Sequence, residues 1–173
     1  MPLALIGRPE PSEYASFYSA YVGKVPEQNV LEALESNLDE LALLNSVPDA
    51  QAGHRYAEGK WSIREVAGHL IDAERVFAYR AMRFSRKDAT NLPGFDEDAF
   101  VAGSAFDQCR LEDLLAEFRL ARQSNLLLFR NMAPGMLELI GTANGKPMSV
   151  RALACVMAGH LRHHLGVLKD RYL

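Results

Sequence analysis

Three of the five histidines fall within one short stretch near the C-terminus, "AGHLRHHLGVLKDRYL", Ala158 to Leu173. On a helix turning about 100° per residue, His164 lies about 40° from His160, one turn further on. Leu153, Val156, Met157, Val167 and Leu168 all fall within roughly 80° of His160. His160 and His164 therefore stand in the middle of an apolar face. His163 lies about 60° to the other side, at the border of that face, and Cys155 points largely away from it. Two imidazoles at i and i+4 on one face have the spacing that lets a single helix hold a metal ion. The alternative is a pair of core histidines, each of which needs a polar partner once buried.

A metal would need a third ligand from elsewhere, and His54 and His69 are the remaining histidines. His54 lies in the turn-like "AGHRYAEGK", where a surface or structural role is expected. His69 lies in "REVAGHLIDAERVFAYR", at the edge of a helical apolar face centred on Ile63, Leu70 and Phe77. An edge position permits a meeting with His160 and His164 without requiring it. Three neutral imidazoles with an open fourth position are the pattern of a catalytic site rather than a closed structural one. Imidazole suits Zn, Ni, Cu or Fe. A divalent transition metal is the expected cofactor, with zinc or nickel foremost.

Two carboxylates accompany these histidines. Glu74 falls near the middle of the apolar face that carries Leu70, so it needs a partner. A structural ion pair, with Arg122 as a candidate, competes with a role supporting a ligand histidine or acting as a general base. Asp72 is expected to be solvated or paired with Arg75, with orientation of an imidazole as the other possibility.

The elements that must position these residues are helical. "PEQNVLEALESNLDELALLNSV" repeats apolar residues at three- and four-residue spacing. A second helix starts at Ser62, whose "SIRE" is a capping-box signature, and continues to about Arg86. "LEDLLAEFRLARQSNLLLFRNM" is the third, and Ser149 caps a fourth that runs to the end. A shorter helix is expected around "PSEYASFYSAYV". The spacing predicts an all-α four-helix bundle with a short extra N-terminal helix, forming a single domain over residues 1–173. The connection "KDATNLPGFDEDAFVAGSAFDQ" is longer than a hairpin needs, and its "LPGFDEDAF" could form a lid over one bundle end. "ELIGTANGKPM" reads as turn-rich.

Composition narrows the function classes. The 173 residues are 49% hydrophobic and 24% charged, with a net charge of -3, as in an ordinary soluble globular domain. No basic stripe suggests a nucleic-acid partner. No apolar run approaches the roughly 18 residues of a membrane span. "MPLALIGRPEP" has no basic start and no long apolar stretch, so it does not read as a signal peptide. Cys109 and Cys155 form no C-x-x-C, and reduced thiols in a cytoplasm are expected.

"RYAEGKWSIREVAGHLIDAERVFAYR" together with the terminal "GHLRHHLGVLKDRYL" resembles the DinB/YfiT-like superfamily of metal-dependent four-helix-bundle proteins. The resemblance extends to "RPEPSEYASFYSAYV", "LPGFDEDAFV" and "GTANGKPMSVRALACVMAGH". It implies an up-down-down-up bundle, often dimeric, and a metal held by His69, His160 and His164, with His163 the adjacent non-ligand. Two positions depart from the family pattern: Leu161 stands where many relatives have an acidic residue, and Gly166-Val167 where others have "GQ". These bear on substrate contacts rather than on the triad. The resemblance further implies an enzyme acting on a small molecule, as a low-molecular-weight-thiol S-transferase or a hydrolase. In that reaction the metal would lower the pKa of a thiol or water. The alternative is a non-catalytic metal-binding bundle in a stress response.

Overall fold

The computed structural model describes residues 5–173, so the first four residues of "MPLALIGRPEP" lie outside the described residues. Four long helices carry the fold: α2 (Val30–Glu40), α3 (Ile63–Ser85), α5 (Leu111–Arg130) and α7 (Val150–Arg171). Short helices α1 (Ser19–Val22), α4 (Glu97–Ala102) and α6 (Pro134–Leu137) and a hairpin of β1 (Ile140–Ala143) with β2 (Lys146–Ser149) complete it. The short N-terminal helix expected over "PSEYASFYSAYV" is broken into 3-10 turns at Pro11–Glu13 and Ser16–Tyr18 before α1. α2 ends earlier than the periodicity suggests and continues as a 3-10 turn over Leu41–Ser46.

Side-chain pairs define the helix directions. Tyr172 at the end of α7 donates to the carbonyl of Trp61, just before α3, so these two helices are antiparallel. Ser62 bonds Asp107 near the start of α5, while Arg86 beyond the end of α3 reaches Met136, so α3 and α5 run parallel. Arg130 pairs with Glu35 and Arg119 with Asn45, which makes α5 antiparallel to α2. The order is therefore up-down-down-up, with α2 and α3 on one diagonal and α5 and α7 on the other. Parallel neighbours cannot be joined by a tight turn, and this accounts for the long connection between α3 and α5.

Helix ends are held by side chains whose types specify them. Ser62 accepts from the Glu65 amide and the Glu65 carboxylate accepts from the Ser62 amide, the capping box predicted for α3. Ser149 accepts from the Ala152 amide at the start of α7 and donates to Glu13. The amide of Leu111, first in α5, is bound by the Asp49 carboxylate from a distant turn. The β-hairpin was legible only as turns. Its Asn144-Gly145 pair has φ of 50° and 69°, the left-handed geometry of a two-residue hairpin turn. Leu92 joins this hairpin through the Thr142 carbonyl and the Asn144 amide.

The apolar core divides into two clusters. One contains Leu34, Phe77, Phe129 and Val156, the other Leu44, Leu70, Phe118 and Leu165. Between them lies a belt of buried polar side chains: Asn37, His69, Glu74, Arg122 and His160. The first half of α7 is buried on every side, Cys155 included, because α1, α2 and α3 all pack on it. Its helical face is thus less one-sided than the sequence periodicity implies.

Candidate metal centre

The sequence-predicted triad comes together. His69 Nε2 and His164 Nε2 each lie 3.0 Å from His160 Nε2, and one ring nitrogen from each of the three falls within 4.8 Å of the others. His69 and His160 are buried and His164 is half-buried. His163 stays at the border, its ring 5.3 Å from that of Tyr21. His54 is exposed, near Tyr172 and outside the cluster.

Three features set this register. The Tyr172–Trp61 bond pins the end of α7 against the start of α3. The capping box fixes where α3 begins, and hence where His69 falls. Gly159 allows the backbone of α1 to touch α7, since a β-carbon there would lie 2.0 Å from the Tyr21 carbonyl oxygen. The Tyr21 ring consequently stands 5.4 Å from His160, with Phe77 at 5.9 Å, and Trp61 packs 4.8 Å from His69.

Burial in this aromatic enclosure disfavours the imidazolium form. It pushes His69 down to about 4. Burial, reinforced by the neighbouring imidazoles, takes His164 to about 3 and His160 well below its usual value. The three rings are neutral at physiological pH. A neutral imidazole nitrogen either donates one hydrogen bond or accepts one. His160 Nε2 therefore satisfies one of its two close neighbours and leaves the other contact uncompensated. A shared cation satisfies all three lone pairs at once. In a tetrahedral site, nitrogens bound at zinc distances stand about 3.3 Å apart, close to the spacing here. The donor set fits a divalent transition metal with a position left for substrate or solvent.

His69 and His160 line a cavity of about 420 Å³. Ala73, Phe77 and Arg80 extend its wall along α3, and Tyr18 and Tyr21 close one side. Gly94, Phe95 and Glu97, from the segment read as a lid, border it, as do Asn144 and Lys146 of the hairpin. Glu97 is a cavity residue that the sequence reading of this segment did not single out. Partial burial, then the nearby Asp98 and Asp96, hold its carboxyl above the ordinary range. Burial, and then Glu97, raise the Tyr21 phenol. No sequence signal distinguished Glu97 from its acidic neighbours, because a fold contact selects it.

Among the described residues, neither Glu74 nor Asp72 joins the histidine cluster. Glu74 forms two hydrogen bonds with Arg122, at 2.7 and 2.9 Å, and accepts a third from Asn125. Arg122 also donates to Asn37 and to the Leu34 carbonyl. Asp72 is half-buried, and Arg75 pairs with Glu117 rather than with it. Cys109 and Cys155 are free thiols, and burial pushes Cys155 up to about 11, far from a reactive thiolate.

A comparison with curated proteins returned no match. Among solved structures, the chain is similar to YfiT from Bacillus subtilis, described as "a probable metal-dependent hydrolase with an unusual four-helix bundle topology". The two share 18% identity and superpose with a TM-score of 0.74, over 98% of this chain and 95% of that one. At that identity the likeness shows the fold. A family model described as the DinB superfamily matches residues 31–168, which include all three clustered histidines. The chain belongs to the DinB superfamily.

Proposed function

We propose that this protein is a metal-dependent enzyme in which His69, His160 and His164 hold one divalent ion, zinc or nickel. In this reading it hydrolyses a small molecule or transfers a low-molecular-weight thiol to one. The observation that carries the reading is the convergence of three neutral imidazoles, two of which, His69 and His160, line a cavity. A divalent ion there supplies a Lewis acid that lowers the pKa of a thiol or water. The chain's own residues do the rest. Trp61, Phe77 and Tyr21 exclude bulk water from the imidazoles. Glu97 borders the same cavity with a raised carboxyl, which suits it to take a proton from an incoming nucleophile and return it to a leaving group. The description of YfiT as metal-dependent supports the hydrolase form of the reading.

The test begins with native mass spectrometry of protein purified without added metal, followed by reconstitution with Zn, Ni and Mn. Stoichiometric metal is expected in the wild type and not in His160→Leu. Chelation should lower the thermal midpoint, because an ion at about 100 times its Kd adds about 2.7 kcal/mol to the folded state. Absence of stoichiometric metal under all three ions defeats the reading. Loaded protein is then screened with electrophiles plus small thiols and with hydrolysable esters and amides. Glu97→Gln should retain the metal and lose about 10²–10⁴-fold in kcat. A wild type that holds its metal and turns over none of these would instead favour a non-catalytic metal-binding bundle.

A further inference from the structure

Two arginines are buried in the described structure, Arg80 and Arg122. Arg122 is fully neutralised by Glu74. Arg80 is 4% exposed, and its one protein acceptor among the described residues is the Pro93 carbonyl, at 2.8 Å. No carboxylate lies within ion-pair distance of it among those residues, and its guanidinium stands 6.0 Å from the Phe77 ring centre. Among the described residues the guanidinium has no protein anion, and none of its nitrogens is both buried and without a partner, so the N–H donors not taken by Pro93 are open to solvent or a ligand. Arg80 borders the same cavity as His69 and His160.

Its position within that cavity is informative. Arg80 follows His69 by eleven residues, so the two share one face of α3 to within about 20°. Their Cα atoms are roughly 16 Å apart along the axis. The Arg80 guanidinium stands 6.0 Å from the Phe77 ring and that ring stands 5.9 Å from His160, so Phe77 bridges the interval between the arginine and the histidines. Ala73 and Phe77 form the apolar wall between them. Lys146, exposed on β2, adds a second positive charge to the cavity lining. The cavity's carboxylate, Glu97, acts on Tyr21, which is at the histidine end.

We infer that the cavity takes an elongated small molecule with an anionic head, carboxylate or phosphate, gripped by Arg80. Its apolar body lies along Ala73 and Phe77, and its reactive end faces the three histidines. The anion supplies the charge and the acceptors that Arg80 lacks, in the bidentate geometry a guanidinium favours. The inference rests on the metal-enzyme reading for the identity of the reactive end, whereas the anion subsite stands on Arg80 alone.

The test therefore uses both metal-free and metal-loaded protein. Calorimetric titrations compare straight-chain carboxylates of four to ten carbons, the alkyl phosphates of the same lengths, and the neutral primary amides. At least one anionic series should bind 10-fold or more tightly than the amides, in metal-free protein as well. Which series binds tighter identifies the head group. Arg80→Met should remove that discrimination, while Arg80→Lys should keep part of it. Equal affinity of amides and both anions for the wild type overturns the inference, and so does undiminished discrimination in a folded Arg80→Met. The wild-type comparison decides even if Arg80→Met does not fold. Anion discrimination in a protein that takes up no metal would sink the metal reading and leave the subsite standing.

Discussion

At the scale of single residues, the bundle's middle is a belt of buried polar groups in two halves, one of them a closed network. Arg122 ties Glu74, Asn37 and the Leu34 carbonyl into one network linking α2, α3 and α5. Removing one partner of such a pair leaves a buried charge alone, which costs far more than the intact pair contributes. Arg122→Met is expected to destabilise the protein by about 3–5 kcal/mol, measured by urea denaturation. The double variant Glu74→Leu with Arg122→Met should recover most of that loss. If the single and double variants are equally destabilised, the cost belongs to packing rather than to the stranded carboxylate. The histidines form the other half of the belt. Their mutual contacts leave one lone pair uncompensated, and that distinguishes them from the closed network beside them.

At the scale of elements, the site depends on how closely α1 approaches α7. Gly159 makes that approach possible, since any β-carbon there meets the Tyr21 backbone rather than a movable side-chain tip. Gly159→Ala should cost about 1–3 kcal/mol through overpacking and shift the NMR resonances of the adjacent Tyr21 and His160. Gly166, on the same helix, faces open space, so Gly166→Ala should stabilise by about 0.5–1 kcal/mol by reducing the freedom of the unfolded chain. Opposite signs from the same substitution on one helix separate close contact from helix propensity. Stabilisation by both substitutions would show that α1 does not bear on α7 as described. A comparable tight fit places the hairpin on the end of α3: a β-carbon at Gly141 would lie 2.0 Å from the Phe84 ring.

At the scale of the whole molecule, arginine–carboxylate clusters fasten the N-terminal segment to the bundle. Arg151 binds Glu13, and Arg162 binds both Glu27 and Glu40. The hydrogen bond from Arg151 holds Glu13 below the ordinary carboxyl range, and that from Arg162 does the same for Glu27. A folded-state pKa below the unfolded value of 4.5 means that this stability is present above about pH 4.5. It is lost as pH falls through the depressed folded values, when the native carboxylates take up protons. In metal-free protein the loss begins earlier, below about 6.5, because the unfolded chain protonates histidines that the fold holds neutral. The thermal midpoint should therefore decline from about pH 6.5 downward and further below about 4.5. Arg151→Met should flatten only the lower part. A midpoint that is level between pH 6 and 4 would contradict this account.

What the sequence determined by itself was whatever depends on local spacing. Period-3.6 patterning marks the four long helices, "SIRE" marks the start of α3, and the i and i+4 histidines share one face of α7, because each of these is a property of one helix. Glu74 with Arg122 was legible as a need for a partner, since a carboxylate on an apolar face must find one. The family resemblance, rather than periodicity, singled out His69, as an edge position on a helix is compatible with several neighbours. The rest is tertiary. The parallel arrangement of α3 and α5 turns the connecting segment into a wall of the cavity. The same folding selects Glu97 from a run of acids and leaves Arg80 buried without a counter-anion. These depend on which elements are packed against each other, a matter of long-range contact that helical periodicity does not encode.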